Sequence, residues 1–333
     1  MATIRDVAKH AEVAPMTVSR VINSPGAVAE ETRVRVERAI RELNYVPNRL
    51  GLGLRNRRTN VVALVVGDIS NPFATEQILG VSEAARERGY NLIFAHTSSS
   101  AEEELAQLRH LIERRVDGIL LSPVLNTPDA VRFVQQQEVP IVVLDYPMPE
   151  NDVDVVRCDS VDAAFRLTQH LIDLGHTRIS MLSGTAAAVT AQERVEGYRV
   201  AMQAAGLGED VRFGSFSTAS GYEMAADVLG RPDPPTAIVS ASNFIGLGAA
   251  RQARDLGLTI PDELSIVTFD GIGADIVLDP FFTGMVQPVR QLAAHATELL
   301  WERMQSTRRG PGEDFVEKMT FELHASTAAP RVR

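Results

Sequence analysis

From about Val61 the chain settles into a repeating rhythm. Short runs of consecutive apolar residues, at 61–66, 91–95, 118–121 and 141–144, alternate with segments near 73–88, 102–114 and 129–137 whose apolar positions recur every three to four residues. Few folds accommodate that pattern. Runs that are apolar throughout fit strands covered on both faces, and the amphipathic helices between them are the crossovers that parallel strands require. A second set follows, with strands near 153–157, 178–182, 211–216, 237–240 and 265–269 and helices near 160–174, 194–205, 221–229 and 244–256. Two such sets predict a bilobed α/β body built on two parallel, doubly wound sheets.

The first 46 residues obey a different rule. Thr3-Ile4-Arg5-Asp6 fits a capping box, and Ile4, Val7, Ala8 and Ala11 then mark one apolar helical face. A second helix starts at Pro15, which is tolerated in a first turn, with Val18, Val21 and Ile22 spaced to face a core. Its other side carries Met16, Thr17, Ser19, Arg20 and Asn23. A third helix, from about 30 to 44, aligns Val36, Ala39, Ile40 and Leu43. Three short helices around one small core make an all-α helix-turn-helix head, with the polar side of the second helix free to enter a major groove.

Charge separates the two parts as sharply as periodicity does. The whole chain of 333 residues carries a net charge of −10, which by itself disfavours a polyanionic partner. Residues 1–58, however, hold eleven Lys/Arg against six Asp/Glu, a balance of +5, and the remainder sums to −15. A basic head on an acidic body is expected where one end touches nucleic acid. No stretch is apolar for the ~20 residues that a membrane span needs, and no signal-peptide pattern opens the chain, so the expectation is a cytoplasmic protein. The one cysteine, Cys158, permits neither an internal disulfide nor a C-x-x-C metal or redox motif; it reads as a small buried hydrophobe. No metal site or cofactor is expected. Enzyme signatures fail too: Gly246-Leu247-Gly248 and Gly271-Ile272-Gly273 lack the third glycine of a dinucleotide fingerprint, and no P-loop, H-E-x-x-H or G-x-S-x-G motif occurs. His176, just after a helix stop, reads as a structural turn residue.

Four segments in order, 3–8, 17–23, 31–33 and 44–48 (Thr-Ile-Arg-Asp-Val-Ala, Thr-Val-Ser-Arg-Val-Ile-Asn, Glu-Thr-Arg and Asn-Tyr-Val-Pro-Asn), closely resemble the LacI/GalR family of bacterial regulators, and the resemblance continues through the body almost to the C-terminus. It implies a DNA-binding transcription regulator, a repressor in most members. A dimer would bind a palindromic operator, and a sugar or sugar acid would modulate its affinity as effector. The alternatives are a stand-alone sugar-binding protein and an enzyme on the same fold. The implied organisation is a head at 1–46, a hinge at 47–59 and a body at 60–333. The first lobe takes about 60–158 and 288–318 and the second about 159–287 and 319–333, with three crossings between lobes and a helix at 288–305 returning to the first. The tail from Ala325 lacks the leucine heptads that would join dimers into tetramers.

The same resemblance assigns DNA contacts to Thr3, Pro15, Met16, Thr17, Ser19, Arg20, Asn23, Tyr45, Asn48, Gly51 and Leu54. Arg20 offers a planar fork for a guanine edge, and Leu54 would wedge into the minor groove at the operator centre. Gly51 and Gly53 each cost about 1 kcal/mol in a helix, so the hinge is expected to order only when paired on DNA. Effector contacts fall on Phe73, Asp145, Arg194 at the start of a helix, Phe216, Ser242, Asn243 and Asp270. These residues departs from the usual pattern in places: Ala14 lacks a capping hydroxyl, Pro15-Met16 stand where relatives read bases with polar side chains, Ser242-Asn243 replaces an Asn-Asp pair, and Ala188 replaces an arginine of purine-responsive members. The loss of a carboxylate at 242–243 makes an anionic effector easier to accommodate.

Overall fold

The structure, a computed structural model, describes residues 2–46, 58–124, 128–148, 153–270 and 281–331. It divides into a unit of residues 1–59 and a unit of residues 60–333. The hinge contacts expected at Asn48, Gly51 and Leu54 lie outside the described residues.

In the first unit, helices α1 (Ile4–His10), α2 (Pro15–Asn23) and α3 (Glu30–Glu42) enclose Val7, Val18 and Val36, each fully buried. The capping box at the start of α1 is complete. Thr3 N–H donates to Asp6 Oδ2 at 2.8 Å while Thr3 Oγ1 accepts from Asp6 N–H at 3.4 Å, which satisfies two otherwise orphaned donors. The Glu42 carboxylate receives His10 and Arg38, each at 2.7 Å, and so ties α1 to α3.

The second unit contains two six-stranded sheets. In the first, β1 (Val61–Val66), β2 (Asn91–His96), β3 (Gly118–Leu121), β4 (Ile141–Leu144), β5 (Asp154–Cys158) and β11 (Asp314–Glu317) run in the order β11-β5-β4-β3-β1-β2, all parallel. In the second, β6 (Ile179–Ser183), β7 (Val211–Phe213), β8 (Ala237–Ser240), β9 (Ser265–Phe269), β10 (Thr283–Val286) and β12 (Thr320–Glu322) run β12-β10-β9-β8-β6-β7. Only β12 is antiparallel to its neighbour there. The run at 153–157 opens the second set in chain order but belongs to the first sheet, as the expected lobe boundary at 158 requires: Val142 pairs with Asp154 and Val143 with Val155. Hydrogen-bonding register, not order along the chain, decides the sheet.

Helices α4 (Pro72–Glu87), α5 (Ala101–Glu113) and α6 (Asp129–Gln136) are the crossovers of the first lobe, and α7 (Ser160–Asp173), α8 (Val189–Ala204), α9 (Thr218–Leu229) and α10 (Asn243–Asp255) belong to the second. The long α11 (Val289–Met304) packs on α4 and beneath β3, β4 and β5, returning the chain to the first lobe. The chain passes between lobes after β5, after β10 and after β11. Gly248, in the motif rejected above as a nucleotide fingerprint, sits where α9 and α10 cross. A Cβ on it would lie 2.2 Å from Thr218 O, so close helix packing accounts for this glycine. Asp154, at the head of β5, is buried and accepts hydrogen bonds from Arg303 of α11 and from Arg308, fastening that return to the sheet.

Candidate functional site

In the head, α2 presents the face read from the sequence. Val18 and Val21 are buried, whereas Arg20 and Asn23 are exposed and Met16 is 60% exposed. Ala14 supplies no side-chain cap, and Pro15 occupies the first turn, where its missing N–H costs no helical bond. Asn23 Nδ2 donates to Ser19 O at 2.7 Å and reaches Ser19 Oγ at 3.2 Å, so these two candidates brace each other along the helix. Thr3 is exposed but its hydroxyl serves the capping box, and Tyr45 packs half-buried on the small core. Arg20 and Met16 therefore stand on the exposed face of α2, away from Val18 and Val21.

In the body, each sheet is doubly wound. β1 lies between β2 on one side and β3 on the other, and β6 between β7 and β8 in the same way, so successive connections run in opposite directions along each sheet. Such a reversal opens a crevice beyond the strands' carboxyl ends. A cavity of about 440 Å³ occupies that position, with Val66 to Asp68 after β1, Ser122 and Pro123 after β3, Thr185 after β6 and Ser242 after β8 on its wall. All seven effector candidates line it: Phe73, Asp145, Arg194, Phe216, Ser242, Asn243 and Asp270.

Asp145 and Asp270 arrive from opposite lobes by the same construction. Each follows a central strand, keeps the ladder bond of the sheet through its N–H (Asp145 to Val156 O at 2.9 Å, Asp270 to Met285 O at 3.0 Å), and takes a left-handed backbone, φ 67° and 53°. That conformation is uncommon outside glycine and is tolerated best by Asp and Asn. It turns the chain sharply and leaves the carboxylate at the cavity. Arg194 is 5% exposed, donates from Nη1 to Ala241 O at 2.6 Å, and lies 4.2 Å over the Phe269 ring. Its helix α8 begins at Val189, so Arg194 stands in the second turn rather than at the helix start. Two fixed contacts leave its Nε buried without a hydrogen-bond partner among the described residues. An unmet buried donor costs about 1–3 kcal/mol, which an acceptor on a bound molecule would recover.

Burial pushes the Asp145 carboxyl up to about 7, against the pull of Arg194 and with the help of Asp270. Asp270 is also raised by burial, opposed by Arg194 and by Gln287, whose Nε2 donates to both carboxylate oxygens at 2.9 and 3.1 Å. Among the described residues the acidic and basic lining of the cavity is thus Asp68, Asp145 and Asp270 against Arg194, with Asp145 and Asp270 both drawn toward the protonated form.

Apolar walls come from Phe73 in the first turn of α4, Phe216, Phe244 and Tyr146. The strand expected to run to Phe216 ends at Phe213, which leaves Phe216 in a loop that the serines around it hold still. Gly214 N–H bridges to Ser183 O and Gly184 O, Ser215 N–H donates to Ser220 Oγ, and Ser217 caps α9. Ser242 accepts from Ile245 N–H as the cap of α10, and Asn243 accepts on Oδ1 from Phe244 N–H. Sequence reasoning missed Asp68, Asn71, Gln77, Tyr146, Thr190 and Phe244. Position relative to a strand's carboxyl end could have flagged Asp68 and Tyr146, each two residues beyond a strand, whereas Gln77 and Thr190, inside helices, carry no such signal.

Comparison with known proteins agrees with this architecture. Residues 3–48 match the family described as bacterial regulatory proteins, lacI family, and residues 59–313 match periplasmic binding proteins and sugar binding domain of LacI family. The HTH-type transcriptional repressor PurR of Pasteurella multocida is 34% identical over 97% of this chain and 96% of its own. CytR, the HTH-type transcriptional repressor of Escherichia coli K12, is 32% identical over 95% and 94%. Among solved structures, the transcriptional regulator CelR in complex with cellobiose is 33% identical, covers 98% of this chain and all of that one, and superimposes with a TM-score of 0.74. Two matched domains that together span nearly the whole length leave one assignment: the chain belongs to the LacI family of DNA-binding, effector-modulated transcription regulators.

Proposed function

We propose that this protein is a repressor that binds a palindromic operator as a dimer and responds to an uncharged, polyhydroxylated sugar bound in the interlobe cavity. The observation that carries the effector class is the charge balance around Arg194. Among the described lining residues three carboxyl groups, Asp68, Asp145 and Asp270, face one arginine, so even with Asp145 part-protonated near neutral pH a sugar acid would add negative charge to a site with no surplus of positive charge. Hydroxyl groups suit the site better: they donate to Asp270 and Asp145 and accept from Arg194 Nε, while Phe73 and Phe216 cover the faces of a ring. The missing carboxylate at Ser242-Asn243 is thus outweighed by those that remain. The similar regulator CelR is described in complex with cellobiose, which supports a saccharide as the effector class.

On the DNA side, Arg20 takes a guanine edge, Thr17 and Ser19 the backbone or neighbouring bases, and Met16 a thymine methyl. Thr3, Asn23 and Tyr45 add contacts beside those, and Leu54 acts at the operator centre. No helix among the described residues is long and apolar enough to cross a membrane, and operator binding places the protein in the cytoplasm. We assign no enzymatic activity, in line with relatives along nearly the whole chain that are named transcriptional repressors.

Two measurements test this reading together. Thermal unfolding of the full chain against a panel of neutral sugars and the matching aldonic and uronic acids should show stabilisation by a neutral sugar, recovered chemically unchanged. Gel shift with genomic fragments should retain a palindromic site that the same sugar releases or strengthens. Stabilisation by acids alone, or conversion of the sugar, would contradict the reading.

A further inference from the structure

Two adjacent residues of α8 serve different halves of the body. Arg194 lines the cavity and is anchored within the second lobe by Ala241 O and the Phe269 ring. Glu193 reaches the first lobe instead, where its carboxylate lies 3.5 Å from Arg157 Nη1 on β5. Arg157 is already oriented, since its Nε and Nη2 donate to the Asp314 carboxylate of β11 at 2.9–3.1 Å. Both partners of the cross-lobe pair are mostly shielded, with side chains 18% and 19% exposed. One turn earlier on α8, Thr190 interacts with the Tyr146 phenol of the first lobe. Residues three apart share a helix face, so Thr190 and Glu193 form one edge of α8 toward the first lobe, beside the arginine that faces the cavity.

We propose that the Arg157–Glu193 ion pair is a closure latch, made only while the lobes hold this orientation, that transmits movement of α8 at the cavity to β5 and β11. The placement gives it leverage. Arg157 is one residue before the end of β5 and pairs in register with Val316 of β11, two residues beyond Asp314, and the chain leaves the first lobe directly after each of these strands. Rotation about those crossings keeps Arg157 and Asp314 together, because they are in one sheet, but carries Glu193 away with the second lobe. A partly buried pair with one partner fixed in advance holds such an interface better than two exposed, mobile side chains do. Only the driving force, a ligand on Arg194, rests on the reading of the cavity given above; the latch can be tested with no ligand present.

Spin labels on Gln136→Cys of α6 and Glu223→Cys of α9, both exposed, report the separation of the lobes in the full-length protein. Native Cys158 is 3% exposed and burial pushes its thiol up to about 12, so it does not compete for label. Labelled chain is diluted with excess unlabelled chain to isolate distances within one protomer. The expected result is a single narrow distance distribution in the parent, a broader or displaced one in E193Q with unchanged circular dichroism, and a further displacement in E193K, which sets two cations together. About 1 M salt, where the screening length falls to about 3 Å, should move the parent toward E193Q and leave E193Q where it is. Superimposable distributions for the parent and E193Q, or an equal response of both to salt, would overturn the latch; sugar binding could still stand, so the two ideas fail separately.

Discussion

The Phe216 ring lies directly against the backbone of Gly184: a Cβ added at 184 would come within 2.2 Å of Phe216 Cε2 and Cζ. The aromatic wall of the cavity therefore depends on a missing side chain in the neighbouring loop. Because the loop around Phe216 is pinned by Gly214, Ser215 and Ser217, the ring cannot retreat with its backbone and has to swing. Gly184→Ala should weaken sugar binding about tenfold or more and lower stability by about 1–3 kcal/mol, the usual range for overpacking. Calorimetric titration with the identified sugar and denaturant unfolding check both; unchanged affinity would remove Phe216 from the binding wall.

Much of this site was legible before the fold was known, and the reason differs from residue to residue. Asp145 and Asp270 follow apolar strand runs, so a parallel-sheet reading already puts them at the carboxyl ends where ligands bind. Arg194 needed the family resemblance, and its helix starts five residues before the sequence pattern marks it, because Val189 and Thr190 are weak helix formers whose place is set by packing. The strands at Thr283–Val286, Asp314–Glu317 and Thr320–Glu322 leave no clear mark in the sequence pattern. Each is four residues or fewer, and the last two lie at sheet edges, where exposure removes the apolar signature. The Arg157–Glu193 contact joins residues 36 apart in sequence across two lobes, and no local pattern encodes such a pair.

Asp145 predicts a pH dependence with a definite sign. Its carboxyl is raised to about 7 in the free protein, so it is protonated below that pH, and a sugar hydroxyl that donates to it favours the ionised form. Sugar affinity should therefore rise as pH increases through 7, and fall by up to about tenfold per unit below it. Asp145→Asn should bind more weakly at pH 8 and show no inflection near 7. A flat profile in the parent would mean that Asp145 does not accept from the ligand.

His176 should make the body acid-sensitive. Its Nε2 is 2.9 Å from Ala328 O, which can only accept, so Nε2 carries the proton and Nδ1 accepts from the Thr236 hydroxyl at 2.8 Å. The ring is 2% exposed, and burial lowers its pKa below the ordinary value of 6.5. A depressed folded-state pKa means that the unfolded chain binds the extra proton first, so stability from this group is present above pH 6.5 and lost as pH falls below it. The urea midpoint should drop between pH 7.5 and 5.5 in the parent and drop less in His176→Gln, which starts lower. Equal losses would assign the acid sensitivity elsewhere.

Arg20→Ala should reduce operator affinity roughly ten- to a hundredfold and relax selectivity at one base pair of each half-site, since a bidentate arginine contact is worth about 1–3 kcal/mol against the wrong base. Met16→Ala should cost less, because a thymine methyl contact is apolar and lacks the guanine fork. Neither substitution touches the buried core of Val7, Val18 and Val36, so thermal stability should hold. Binding arrays with every single-base operator variant give the comparison; a uniform loss across all variants would make Arg20 a phosphate contact.

The most direct test is to titrate operator binding against the identified sugar in the parent, Arg194→Ala and Asp270→Ala. An effector shifts DNA affinity only through contacts that differ between the two states, and these residues supply an anchored donor and an acceptor held by Gln287. Each variant should need about ten- to a hundredfold more sugar for the same change, the equivalent of about 1.5–3 kcal/mol for a lost charged hydrogen bond. If DNA binds the sugar-free state, operator affinity without sugar should match the parent. A full response at the parent's sugar concentration in both variants would contradict the placement of the effector in this cavity.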